Sequence, residues 1–249
     1  MRAISKALLA AGLVFVLARG ASAQTADEII EKHLTAIGGR AALAKLKSRT
    51  MTGTIAVSLP VGGEASGSVE ITNQAPNKSR QLIKIDLSSF GIGQIVQDQL
   101  FDGTTAYMID SFQGNRDITG NQLDNMKNAS FPSALLNYKE SGVKVELAGK
   151  EKAGTRDAFV LVMTPKLGSV VRMYFDAESY LPVKTMVTVN VPQVGGDVEQ
   201  TVEQLDYREV DGLKVPFQIT GSSSLQTYTI TFTNVAHNVE VDQSVFSKP

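Results

Sequence analysis

The sequence predicts a mainly β domain of the α+β class: a large antiparallel sheet of about eleven strands, an N-terminal helix and a helical insert midway along the chain. Three observations predict it. The hydrophobic period changes from about 3.6 to 2 near Ser48 and stays close to 2 over most of the remaining chain. Turn signals at Asp102-Gly103, Gly149 to Gly154, Asp176 to Ser179, Gly195-Gly196 and Asp211-Gly212 recur at the short intervals of a sandwich or barrel. Two longer stretches, near 25–38 and 120–141, carry apolar residues at helical spacing instead.

The chain opens with an export pattern. Arg2 and Lys6 form a basic start, Ala7 to Leu17 is an uncharged run of eleven residues, and Ala21-Ser22-Ala23 offers small residues to a signal peptidase. Eleven residues fall short of the ~20 that a membrane span needs. Cleavage is expected after Ala23, leaving residues 24–249 as one domain in the periplasm.

Thr25-Ala-Asp-Glu28 reads as a capping box, because Thr25 can accept from the first turn while Glu28 reaches back. Ile29, Ile30, Leu34 and Ile37 then share a helical face opposite Glu31, Lys32 and Thr35, and Gly38-Gly39 stops the helix. A short second turn, 40–47, carries Leu43 and Leu46.

Strict alternation begins at Ser48. Met51, Gly53, Ile55, Val57 and Leu59 alternate with polar or small residues, and after the Pro60 to Gly63 turn so do Val69 and Ile71, then Ile83, Ile85 and Leu87. Near the end, Tyr228, Ile230 and Phe232 alternate with four threonines. Such a pattern gives antiparallel strands with one apolar and one wet face. Two runs, Ala158 to Met163 and Val170 to Phe175, are apolar on nearly every residue and are expected to be covered on both sides. The insert 120–141 places Leu123, Met126, Phe131, Leu135, Leu136 and Tyr138 at helical spacing, with Pro132 at an early helical position where it is tolerated, and reads as one or two short helices.

Composition excludes several classes. There is no cysteine, hence no disulfide, thiol chemistry or thiolate metal site, and no cysteine for a lipid anchor. Loss of Arg2, Lys6 and Arg19 with the leader moves the formal charge from −1 to about −4, which argues against nucleic acid and against electrostatic attraction to anionic membranes. No further apolar stretch is long enough for stable membrane insertion. His33, on the first helix beside its polar face, and His237, in a polar segment, are the only histidines and are expected in surface or capping roles. No nucleophile elbow or phosphate loop occurs, and Glu199, Glu203, Asp206 and Glu209 read as a solvated edge divided between faces. No cofactor or metal is called for.

Area sets the architecture. Eleven strands at ~4.8 Å make a sheet ~50 Å across, whereas a helix covers a strip ~10 Å wide. The sheet therefore curls around the helices and leaves apolar space, or folds into a filled sandwich; the pattern alone leaves both open.

Three segments bear on that choice. Tyr174-Phe-Asp-Ala-Glu-Ser-Tyr-Leu-Pro-Val-Lys184, the hairpin Tyr207 to Phe217 and the ending Val241 to Pro249, taken in the order signal peptide, helix, strands, helical insert, strands, resemble the LolA/LolB-like superfamily of periplasmic lipoprotein carriers. The resemblance implies a half-open β-barrel closed by helices, with an apolar concave surface that holds acyl chains. It assigns no individual residue. Strand parity and the insert nominate Ile55, Val57, Ile83, Ile85, Met108, Met126, Phe131, Leu135, Met163, Met173, Met186, Tyr228 and Ile230 as cavity wall. Phe90 and Ile92, set among glycines, are nominated as a lid. Methionine adapts to varied apolar shapes, which suits the five named here.

The function expected is a soluble carrier or binder of lipid or acylated protein. Shielding ten methylenes at ~0.8 kcal/mol each supplies about 8 kcal/mol before ordering costs. The alternative is a non-catalytic regulatory or interaction module with an envelope protein partner; a periplasmic hydrolase comes third.

Overall fold

The computed structural model describes residues 24–58, 62–191 and 195–249. The predicted leader and part of the Pro60 to Gly63 turn lie outside the described residues.

Helix α1 (Ala26–Ala36) and the short α2 (Arg40–Leu43) precede six strands: β1 (Ser48–Ser58), β2 (Glu64–Gln74), β3 (Lys78–Leu87), β4 (Gly93–Phe101), β5 (Ala106–Asp110) and β6 (Arg116–Ile118). Helices α3 (Gly120–Asn128) and α4 (Tyr138–Ser141) come next. Seven strands complete the chain: β7 (Lys144–Ala153), β8 (Arg156–Thr164), β9 (Val171–Asp176), β10 (Pro182–Val191), β11 (Gly196–Val210), β12 (Leu213–Ser222) and β13 (Thr227–His237).

All thirteen strands form one open antiparallel sheet in the order β6-β5-β4-β3-β2-β1-β13-β12-β11-β10-β9-β8-β7. The fold class is as expected, with two more strands than the approximate eleven. The hairpin β5–β6 contributes five and three residues, too few for alternation to declare itself. The topology is simple. The chain starts at the centre, steps outward to β6, crosses to the opposite edge at β7, and steps back until β13 pairs with β1. The crossing segment contains α3 and α4, so the helical insert is the link that carries the chain between the two edges.

Helix α1 forms as the capping box predicts. Glu28 N donates to Thr25 Oγ1 at 3.2 Å and Thr25 N to Glu28 Oε2 at 2.9 Å, worth about 1 kcal/mol to a helix end. Its buried Ile29, Ile30 and Leu34 pack on Phe159, Leu161, Met163 and Phe175 of β8 and β9, which defines the concave face of the sheet. Fully burying each such side chain stabilises by ~1.5–3 kcal/mol.

The insert forms two short helices, as expected, but the second starts six residues after Pro132. Residues 134–137 form turns, and the helix proper is Tyr138–Ser141. Pro132 offers no N–H and biases Phe131 away from helical backbone. Leu135 and Tyr138 are nevertheless buried one turn apart.

Curvature has a local cause at the sheet centre. The β1–β13 register shifts at Thr52/Gly53, with Thr233 the extra residue. A Cβ on Gly53 would lie 2.1 Å from the Thr231 carbonyl oxygen, so only glycine lets the strands approach this closely. The double-covered reading of Ala158 to Met163 holds for Ala158 through Leu161, all buried: the convex face carries its own apolar patch of Ala158, Val160, Tyr174 and Val183. At the other side, Asp242 caps a 3₁₀ turn (Gln243–Phe246) whose buried Phe246 ties the C-terminus to β3 and β4.

Candidate functional site

The concave face is divided. Over β1–β3, β12 and β13 the sheet packs against itself: Met51, Ile55, Val57, Val69, Val215, Ile230 and Phe232 form a buried cluster joined by Ile83, Ile85 and Tyr228. Over β4–β6, α3 packs Leu123 and Met126 on Phe101, Ala106, Ile118 and Met108. Over β8–β12, the C-terminal end of α1 and the crossing segment roof a cavity of about 510 Å³.

Its floor is Met163, Val171, Met173, Thr185, Val187 and Val189 from β8 to β10, with Gln204 and Tyr207 from β11. Its roof is His33 of α1, Ile37 at the helix's C-cap, Leu43 of α2, and Asn125, Asn128, Ala129 and Pro132 to Leu135 of the crossing segment. Arg49, Lys214 and Pro216 complete the wall. Ala129 and Lys214 are solvent-exposed and mark where the cavity meets water. The volume falls within the ~300–1,000 Å³ of small-molecule sites, and the wall is mostly apolar.

Asparagines latch the roof to the floor. Asn121 and Asn125 donate to Ser169 Oγ at 3.0 and 3.2 Å, Ser169 N donates to Asn125 Oδ1 at 2.7 Å, and Asn128 donates to the Leu167 carbonyl at 2.8 Å. Ser169 Oγ donates in turn to the Thr188 carbonyl at 2.7 Å. Gly168 permits this contact. Its φ is +97°, and a Cβ there would sit 2.8 Å from Asn125 Oδ1 and Asn128 Nδ2.

Both histidines are buried, which corrects the surface role expected of them. His33 is 4% exposed; its ring meets Phe175 edge-on at 5.0 Å and its Nδ1 donates to the Tyr180 carbonyl at 3.2 Å. Burial pushes its pKa down to about 4, with the Tyr180 carbonyl opposing, so near neutral pH the imidazole is uncharged. The His237 side chain is 2% exposed. Burial first and Arg49 second hold its pKa below the ordinary range, and its Nε2 accepts from Arg49 Nε at 3.0 Å. The Arg49 guanidinium carbon lies 5.5 Å from the Phe131 ring centre. Burial lowers the arginine to about 10, which leaves it a cation. Glu199, Glu203, Asp206 and Glu209 are all exposed, on a strand interior to the sheet and not at its edge.

Of the nominated residues, Leu135, Met163 and Met173 line the cavity. Phe131 stands beside it over Arg49. Ile55, Val57, Ile83, Ile85, Tyr228 and Ile230 share the concave face but belong to the self-packed cluster, and Met108 and Met126 belong to the contact under α3. Met186 lies on the convex face, where Tyr174 Oη approaches its sulfur at 3.5 Å: Thr185 and Val187, its neighbours, take the inward phase of β10. Phe90 and Ile92 are exposed at the β3–β4 tip and are not part of the cavity wall. Parity thus finds a face, and cannot tell where that face is covered by itself. The sequence signal that parity overlooks is Arg49, a charge in the same alternating phase as Met51, Ile55 and Val57.

No protein-family model matches the sequence, and no curated relative matches it. Solved structures do. A LolA superfamily protein from Nitrosomonas europaea superposes with a TM-score of 0.58 at 16% identity, over 91% of this chain and 99% of that one. A DUF1329 family protein from Desulfovibrio piger gives 0.57 at 12% identity over 89% and 96%. A putative outer membrane lipoprotein-sorting protein domain from Vibrio parahaemolyticus gives 0.54 at 10% over 88% and 94%. The chain has the LolA-type fold, in a divergent sequence.

Proposed function

We propose that this protein is a soluble periplasmic carrier or binder that shields one acyl chain from water in the cavity over β8–β12. The observation that supports it is the cavity itself: about 510 Å³ of mostly apolar space between a sheet and a roof held by a polar latch. A space of about 510 Å³, within the ~300–1,000 Å³ of small-molecule sites, suits a single chain better than several. The LolA-type fold agrees with this reading, and one solved structure sharing it is described as a putative lipoprotein-sorting domain. The export pattern in the sequence supports a location where such cargo travels, and among the described residues no helix is long and apolar enough to cross a membrane.

Displacement of an uncharged fluorescent hydrocarbon probe tests the reading. Purified protein is expected to take up the probe and release it to twelve- to sixteen-carbon amphiphiles, and Val187→Trp, which fills the cavity, is expected to abolish uptake while the protein stays folded. Equal uptake by the filled variant would defeat the proposal.

A second reading, an interaction module, has one observation in its favour. Phe90 and Ile92, Phe112, Leu167 and Val170, and Leu225 are exposed at four hairpin tips, all at the same end of the sheet. Recovery of a single envelope protein with no bound lipid would support it.

A further inference from the structure

Six of the seven described arginines lie within 4.0 Å of a carboxylate: Arg40, Arg80, Arg116, Arg156, Arg172 and Arg208. Arg49 does not, although it alone among them lines the cavity. Its Nε donates to His237, which takes one of the five N–H donors of a guanidinium. The other four find no hydrogen-bond partner among the described residues. Asp211 stands on the far side of the imidazole, its Oδ2 3.2 Å from His237 Nδ1.

A cation kept against an apolar cavity without a counter-charge is costly, and truncation to an apolar side chain would relieve that cost. The rest of the wall explains why no internal partner meets it. The cavity is lined by Arg49 and Lys214 and by no aspartate or glutamate. Lys214 sits at the exposed margin, cross-strand from Glu209, whereas Arg49 is inside. The field at that end of the cavity therefore favours an anion, and the unused donors form the planar fork that holds carboxylate or phosphate in two parallel bonds.

We infer that the ligand is an anionic amphiphile whose carboxylate or phosphate head is held by Arg49 while its chain lies along the floor of β8–β10. This rests on the carrier reading and makes it specific: uncharged hydrocarbon would fit the space and leave the guanidinium unanswered.

The test compares three ligands of one chain length, dodecanoate, dodecyl phosphate and dodecanol, by displacement of an uncharged fluorescent probe from the full mature protein. At least one of the two anions is expected to bind ten- to a hundredfold more tightly than the alcohol, the range of a charge-assisted hydrogen-bonded contact, and the tighter anion identifies the head group. In Arg49→Gln the advantage of the anions over dodecanol is expected to shrink to threefold or less, and Arg49→Lys is expected to retain part of it. Equal binding of acid, phosphate and alcohol to the wild type overturns the head-group assignment while leaving an acyl-chain carrier in place, and needs no variant. Equal loss of all three ligands in a folded Arg49→Gln would make the arginine structural and also overturns it. Failure of the wild type to bind the probe or any of the three overturns the carrier reading and this inference together.

Discussion

Tyr180 holds His33 in place through its backbone. The turn Asp176 to Leu181 puts Tyr180 in the left-handed region at φ +57°, which turns its carbonyl toward His33 Nδ1 at 3.2 Å while its ring stacks on Phe159 at 5.9 Å. Asp176 fixes that turn by accepting from the Glu178 and Ser179 amides. The hairpin thereby seats α1, and with α1 the roof of the cavity.

The burial of His33 makes stability depend on pH. A folded-state pKa near 4, against 6.5 for an unperturbed histidine, means that the unfolded chain binds more protons between those values. The contribution is complete above about 6.5 and is lost as pH falls toward 4, an amount on the order of 3 kcal/mol. Urea unfolding across that window is expected to show the decline, and His33→Gln to flatten it. Carboxylates such as Asp176, whose burial is outweighed by hydrogen bonds from Ser179 and Glu178 that lower its pKa, act at lower pH.

The asparagine latch should govern how firmly α3 closes over the cavity. Gly168→Val forces a β-branched residue into φ +97° and against two asparagines, at a cost of ~1–3 kcal/mol. Hydrogen exchange is expected to quicken in α3 and in residues 165–170 before the rest of the sheet opens. Unchanged protection in α3 would separate the latch from closure.

Two methionines on opposite faces give a paired control. Met173→Trp fills the cavity and is expected to weaken acyl-ligand binding at least tenfold. Met186→Ala on the convex face is expected to leave binding intact and to lower stability by ~1–2 kcal/mol. Titration and thermal melting of the two variants check both halves; weakened binding in Met186→Ala would contradict the assignment of faces.

Gly53 sets the curl of the sheet. Gly53→Val places atoms against the Thr231 carbonyl and the Phe232 backbone, and is expected to cost ~3 kcal/mol or more in urea unfolding. A near-neutral result would mean that the bulge at Thr233 relaxes freely.

Much of this fold is legible in local signals. The Thr25 box, the strand phases and the crossing insert are of that kind, and alternation at Ile55, Val57 and Ile230 marks the concave face correctly. What alternation cannot encode is which part of that face meets another strand, which meets a helix and which stays open. The self-packed cluster and the open cavity carry the same apolar pattern, so Ile83 and Met163 look alike in sequence. His33 is misplaced for a related reason: helical phase puts it beside a polar face, and a turn 147 residues away supplies the carbonyl that buries it. Arg49 is legible as a charge in an apolar phase, and its neighbours are not.

Whether the space over β8–β12 holds a single acyl chain is the question on which the carrier reading turns. Native mass spectrometry of the protein taken gently from an expressing cell's envelope answers it. One added mass per protein is expected, that of a one-chain anionic lipid, absent from Val187→Trp. Protein that leaves the envelope bare and takes up no lipid when offered it, with its fold intact, would contradict that reading.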